Sequence, residues 1–375
     1  MGTYTFEMAH ALARAGHKVI VISRALRERQ HYFEADGVEV YRIRPSLDIN
    51  ATPFVWRLNR WWEGYRLAVA IQLREILRER KIDIIESPEL HAEPLLYTAV
   101  NSRTPLVVRL HSGSEVVASF EPNHTNGSRR SARLERWLMG KAARVTSPSK
   151  ALLTATPKAK FKRGTVIPNP VDTDHFKPVS QSDEGDSYPN ILCVGRPRFL
   201  KGIHVLAHAI PAVWEGVPEA TFTFVPASMG KSGEAPADAY REILGNLVDD
   251  PRIRISEPVT RANMPKHYQR ATVVVVPSLW EGFGYVCAEA MACGIAVVAS
   301  RTGGLAEIVE DEKSGVLVEP GNAAELAGAI LRLIREPKRR TQIGEAARRR
   351  VVEEFSSATI AGRMTSLYQQ VIQQA

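Results

Sequence analysis

A chain of 375 residues, 44% hydrophobic and 24% charged, is long enough for two ordinary cores and excludes a disordered or fibrous protein. Its three cysteines, Cys193, Cys287 and Cys293, lie in apolar contexts without zinc spacing, which reads as buried free thiols in a reducing compartment. Charge is uneven: residues 1–180 hold 28 Lys/Arg against 18 Asp/Glu (+10), and residues 181–375 hold 21 against 23 (−2), so the first half suits an anionic partner.

The opening, Met1-Gly-Thr-Tyr-Thr, lacks the basic and apolar blocks of a signal peptide, and no apolar run reaches the roughly 18 residues of a membrane span. We therefore expect a soluble, cytoplasmic protein. Gly2 leads at once into a helix carrying Met8, Leu12 and Ala15, without the strand that normally opens a doubly wound domain. An open slot in the first sheet is the expected consequence, and a fragment or misassigned start the expected cause; the reading frame upstream of Met1 tests it. Between Phe54 and Val69, residues Phe54, Leu58, Trp61, Trp62, Tyr65 and Val69 share one helical face, with Arg57 and Arg60 off it. Packing on the first sheet is the plainer account, and peripheral membrane contact the other.

Short β-branched runs then recur, each followed by a helical pattern: Val19 to Ser23, Ile82 to Glu86, Leu106 to Leu110, Arg144 to Ser147, Ile191 to Gly195, Thr221 to Val225, Val273 to Val276 and Ile295 to Ser300. That alternation predicts parallel sheets in an α/β fold, and the unbroken apolar runs predict cover on both faces. Ligands in such folds sit at the carboxyl ends of the strands. The Pro- and Ser-rich stretch from Val166 to Pro189 separates the two strand series, which places a first domain at residues 1–170 and a second at 171–352. Residues 353–375 continue a helical pattern that begins near Ala346 and should pack back on the first domain.

The densest signal runs from Pro277 to Gly294. A buried strand ends at Pro277, the loop Glu281-Gly282-Phe283-Gly284 follows, and a helix begins near Tyr285. Backbone N–H groups at that helix start point above the strand ends, where phosphate is the natural guest. Glu281 before the helix and Glu289 a turn inside it can accept hydrogen bonds from hydroxyls of one elongated ligand. Earlier, the strand ending at Gly195 is followed by Arg196 and then Lys201, two cations able to neutralise a diphosphate. Later, Gly303-Gly304 again stands between strand and helix, and His111 follows the run Leu106 to Leu110. Asp172-Thr-Asp174 looks like a metal-binding Asp-x-Asp, but at the junction it reads as a turn or cap.

Together these motifs resemble the retaining glycosyltransferases of the GT-B fold, family 4 (glycosyl transferases group 1). The resemblance implies two Rossmann-like doubly wound parallel-sheet domains facing a cleft, with a C-terminal helix crossing back. It implies that Glu289 holds the donor ribose, that Glu281 contacts the transferred sugar, that Arg196 and Lys201 bind phosphate, and that His111 faces the sugar. Gly282, Phe283, Gly284, Tyr285, Gly303 and Gly304 would line the donor, while Glu307 reads as structural. Gly2-Thr3 would be the tail of the loop over donor phosphate and acceptor. The implied substrates are a nucleotide-sugar donor and a sugar, lipid-linked or small-molecule acceptor; no metal, cofactor or nucleic acid is expected. Two other readings stay open: a non-catalytic or truncated nucleotide-sugar-binding protein, and a sugar phosphorylase or epimerase on the same scaffold.

Overall fold

The structure is a computed structural model that describes residues 2–25, 31–44, 60–100, 103–120, 126–157, 163–178, 188–226 and 236–375. It divides into two compact units: residues 1–170 with 357–375, and residues 171–356.

Unit 1 opens with α1 (Gly2–Arg14), which buries Tyr4, Met8, Ala11 and Leu12, residues spaced three and four apart. Next come β1 (Val19–Arg24), β2 (Tyr32–Ala35) and β3 (Val38–Ile43), forming a three-stranded sheet in the order β1-β3-β2. The β2–β3 hairpin was not among the expected strands, although Asp36-Gly37 carries its signature. Both residues have positive φ, 50° and 77°, as a tight antiparallel turn requires.

The helix α2 (Arg60–Glu79) follows, then β4 (Ile85–Pro88), α3 (Leu95–Val100), β5 (Leu106–Arg109), α4 (Ser114–Phe120), α5 (Asn126–Lys141), β6 (Arg144–Ser147), α6 (Lys150–Ala155) and β7 (Gly164–Val166). The strands β4 to β7 form a second, wholly parallel sheet in sequence order. The strand expected at Ile82 to Glu86 lies three residues later, because pairing with β5 begins only at Ile85 opposite Leu106. Among the described residues unit 1 thus has two sheets rather than one, with β1 and β4 each at a sheet edge. Phe54, Arg57 and Leu58 lie outside the described residues, but Tyr65 and Val69 are buried with Ile43 and Ala68, against Ile22. The described part of that helical face is therefore committed to packing.

Unit 2 is one six-stranded parallel sheet in the order β10-β9-β8-β11-β12-β13. Its elements are β8 (Asn190–Gly195), α7 (Ile203–Gly216), β9 (Thr221–Pro226), α8 (Pro236–Leu244), β10 (Ile253–Ile255), α9 (Met264–Gln269), β11 (Val273–Val276), α10 (Tyr285–Ala292), β12 (Val297–Ser300), α11 (Leu305–Ile308), β13 (Val316–Val318), α12 (Ala323–Arg335) and α13 (Pro337–Phe355). Alternate residues of β11 enter two separate cores: Val273 and Val275 join α7 and α12, while Val274 and Val276 join α9, α10 and α13. An unbroken valine run is what cover on both faces demands. All three cysteines are free and buried.

The helical pattern expected to continue through residues 353–375 is broken at Ser356, where φ −58° and ψ 150° end α13. Val171 pairs there with Ser356, and its N–H bonds the carbonyl of Phe355 at 2.9 Å. The last helix, α14 (Ser357–Gln373), belongs to unit 1, where Tyr368 donates a 2.7 Å hydrogen bond to Glu86. No described helix is long and apolar enough to cross a membrane.

Candidate active site

At the carboxyl end of β8 the chain passes Arg196 and makes a short 3-10 turn, Phe199–Lys201, before Gly202 opens α7. Gly202 has φ +66°, and a Cβ there would lie 1.8 Å from the Pro277 carbonyl oxygen. Only glycine allows this turn to rest on the end of β11. That contact brings Lys201 to the loop after β11, where its Nζ bonds the Oε1 of Glu281. The Ser278 hydroxyl donates to the same oxygen at 3.2 Å. Arg196 is exposed. Burial first and the neighbouring Arg198 second lower its pKa, opposed by Glu281. Arg196 and Arg198 are like charges in one short turn, tied by the Arg198 N–H to the Arg196 carbonyl at 2.8 Å, and an anion bound there would relieve their repulsion. Arg198 and Ser278 were not anticipated from sequence; both depend on how the turn folds back.

The Glu281 loop is held from below by glycines. Gly304 N–H donates to the Glu281 carbonyl at 2.8 Å, and a Cβ on Gly303 would stand 2.0 Å from that oxygen. Gly282 is half-buried, and Gly284, at φ +108°, caps the start of α10 where a Cβ would meet Leu305 at 2.5 Å. Phe283 puts its ring into the core, edge-on to Tyr285 and Phe355, so only its backbone remains for a ligand. Glu289, the fifth residue of α10, accepts a 2.8 Å bond from the buried Tyr268 hydroxyl of α9. Tyr268 was also missed. The carboxylate beside it, after burial, holds its phenol well above the usual range, keeping it a donor.

Unit 2 therefore gathers Arg196, Lys201, Glu281, Gly303 and Gly304 around the ends of β8, β11 and β12, with Glu289 on the adjoining helix. The backbone carbonyl of Glu307 accepts from Arg350 at 3.1 Å. Asp172 accepts the N–H groups of Asp174 and His175 at 3.1 and 3.0 Å, a turn role. Among the described residues no three His, Cys, Asp or Glu side chains cluster as metal ligands would.

The remaining expected residues are in unit 1. Gly2 and Thr3 form the exposed first turn of α1 rather than a loop. His111 follows β5, its ring edge-on to Tyr4 at 5.1 Å. Burial drives its pKa well below the ordinary histidine range, so the imidazole is neutral at pH 7. Two buried carboxylates set the backbone here. Glu89 accepts the His111 N–H at 2.6 Å, and Glu135 accepts Ser114 N–H, Ser114 Oγ and His91 N–H at 2.8, 2.7 and 3.2 Å. Between them Ser112 is forced to φ +67°, which costs a non-glycine residue about 1–2 kcal/mol.

Burial, above all, pushes the Glu89 carboxyl up to about 8. The unfolded chain releases that proton near 4.5 while the folded chain keeps it to about 8, so stability falls as pH rises between them. Glu89→Gln is expected to flatten this dependence and to raise stability at pH 8.5 by roughly 2–4 kcal/mol. Urea unfolding of parent and variant at pH 5.5 and 8.5 measures it; equal slopes against pH would remove Glu89 as the cause.

Two α/β units, the second with cations and glycine turns at the ends of its parallel strands, match the GT-B architecture of nucleotide-sugar enzymes. Two family sequence models divide the chain: "Glycosyltransferase Family 4" matches residues 1–175 and "Glycosyl transferases group 1" matches residues 174–350. D-inositol 3-phosphate glycosyltransferase of Nocardiopsis dassonvillei is 30% identical over 371 residues, 92% of this chain and 84% of that protein. Glycogen synthase of Mycobacterium tuberculosis is 25% identical, covering 98% and 90%. The solved sucrose-phosphate synthase of Thermosynechococcus elongatus superposes with TM-score 0.83 at 24% identity, covering 100% of this chain and 94% of its own. Anabaena HepE, solved with UDP-glucose, gives 0.74 at 22%, covering 98% and 95%. The chain belongs to the group 1, family 4 glycosyltransferases.

Proposed function

We propose that this glycosyltransferase takes its sugar from a nucleoside diphosphate donor held by unit 2 and passes it to an acceptor with retention of anomeric configuration, without a metal. The observation that carries the reading is the meeting of Lys201 with Glu281 at the strand ends, beside Arg196. A diphosphate arriving there gains Lys201 and Arg196 as counter-charges, and Glu281 is then released to accept from sugar hydroxyls. Glu289, oriented by Tyr268, accepts from the ribose. HepE, described in complex with UDP-glucose, is a relative in fold that supports a donor of this class.

In the transfer, the bond from the anomeric carbon to the β-phosphate oxygen breaks and a bond to the acceptor hydroxyl oxygen forms on the same face. The acceptor proton passes to the departing phosphate oxygen. Fixed cations stabilise the charge that grows on the diphosphate, the contribution a metal makes in other transferases. His111, being neutral, can act as a hydrogen-bonding group but not as a fixed cation. We place the enzyme in the cytoplasm, where its free thiols are suited. A lipid-linked acceptor would add contact with the inner membrane face, and failure to sediment with anionic liposomes at low salt removes that arm.

The test is a thermal-shift screen with UDP, GDP, ADP and their sugars, since a ligand of the folded state raises the melting temperature. Glu289→Ala is then expected to weaken the responding donor by about tenfold to a hundredfold, from one or two lost bonds to a charged group. An unchanged dissociation constant would take the ribose role from Glu289.

A further inference from the structure

The amino ends of the unit 2 strands, opposite the donor end, hold a cleft of about 490 Å³. It opens beside Thr272 and Ala296, the residues preceding β11 and β12, and its other wall is α13. The two walls are pressed together at a glycine pair: a Cβ on Gly344 would meet the Gly294 carbonyl oxygen at 2.1 Å.

Among the described residues three arginines line this cleft, Arg340, Arg348 and Arg349, against one carboxylate, Glu345. Other arginines on the same helix are neutralised: Arg339 pairs with Glu312, and Arg350 with Glu310 and Glu354. The cleft arginines are treated differently. Arg340 gives Nη1 to the carbonyls of Leu333 and Ile334 at 2.9 and 3.2 Å. Arg348 gives Nη1 to the carbonyls of Phe176 and Ala292, and Nη2 to that of Thr173, at 2.8 to 3.0 Å. These bonds fix both guanidinium planes, yet among the described residues neither they nor Arg349 has a carboxylate partner within ion-pair distance. Asp174 and the Cys293 thiol act on Arg348 only through the field. Burial lowers the pKa of both Arg340 and Arg348, as expected of cations held part-way out of water without a counter-ion.

We propose that this cleft is a second anion site, distinct from the donor end of the sheet, which takes the phosphate of a small phosphomonoester such as a sugar monophosphate. Planar guanidinium forks held in place match phosphate oxygens in pairs, and the volume falls in the range of small-molecule sites. Arg340 supplies Nη2, and the exposed Arg349 closes over the ligand from the next turns of α13.

The full chain carrying Arg196→Ala and Lys201→Ala, which empties the donor end of cations, provides the background for titration with inorganic phosphate and glucose 6-phosphate. Calorimetry is expected to show binding that survives in this background and weakens about tenfold for each of Arg340→Gln and Arg349→Gln, one charged hydrogen bond apiece. Arg349 is exposed and its side chain has no bond to any described residue, so its variant reads the site even where Arg340→Gln destabilises α12. Sedimentation with phosphatidylinositol 4-phosphate vesicles separates sources: vesicle binding without a response to the soluble probes assigns the phosphate to a lipid headgroup. No response to any of these probes, or responses unchanged by the arginine substitutions, overturns the proposal. Because the background lacks the donor cations, this outcome is independent of the donor reading.

Discussion

Lys201→Ala is expected to lower kcat by roughly a hundredfold to a thousandfold, the range seen when one donor to a developing negative charge is removed. The lysine reaches its place through the 3-10 turn Phe199–Lys201, whose closing residue, Gly202, rests on the Pro277 carbonyl. Its charge is thereby fixed where β8 and β11 end. Its side chain is 29% exposed and that of Glu281 17%, so their pairing is more than a surface contact. Removing the lysine acts twice: the leaving diphosphate loses a cation, and Glu281 loses its partner. Lys201→Ala combined with Glu281→Gln should therefore cost less than the sum of the two single losses, as coupled neighbours do. Steady-state kinetics with the donor found by thermal shift measure both effects. A kcat equal to the parent's in Lys201→Ala would remove the lysine from the reaction.

The strands of unit 2 were legible because a sheet covered on both faces needs unbroken apolar runs, and Val273 to Val276 is such a run. The helix start at Tyr285 was legible too, from glycines placed before it. The β2–β3 hairpin could have been read from Asp36-Gly37 but was hidden by its weakly apolar strands, of which β2 buries only Phe33 in part. What sequence did not reveal is side-chain direction over long separations. Tyr268 lies 21 residues before Glu289, and nothing local marks it as that carboxylate's donor. Arg198 resembled any exposed arginine, and Phe283, read as a donor contact, proves to be core because its ring turns toward Phe355. The carboxylates Glu89 and Glu135 were invisible for the same reason: their partners are backbone N–H groups of loops whose left-handed residues, His91, Ala92 and Ser112, carry no glycine signature.

Gly303→Ala is expected to destabilise unit 2 by about 2–5 kcal/mol, combining left-handed strain of about 1–2 kcal/mol with overpacking of about 1–3 kcal/mol. Gly303 has φ +50°, and its Cβ would stand 2.0 Å from the Glu281 carbonyl oxygen and 3.0 Å from the carbonyl carbon. The Glu281 loop has nowhere to retreat. Phe283 anchors it in the core, a Cβ on Gly304 would already be 2.7 Å from the Gly282 oxygen, and Thr302 Oγ1 ties the loop to Leu279 at 3.1 Å. The added methyl must then push Glu281 itself, and a displacement near 1 Å in a positioning group costs about a hundredfold in rate. Gly328 in α12 supplies the control, since a Cβ there meets nothing within 4 Å. Gly328→Ala should be stabilising by about 0.5–1 kcal/mol through helix propensity alone, with activity unchanged. For a unit of this size the Gly303 variant should melt roughly 5–15 °C lower. Differential scanning of both variants, with and without donor, reads the two effects separately. A Gly303→Ala protein that melts with the parent and turns over normally would mean that Glu281 does not depend on the glycine pair beneath it.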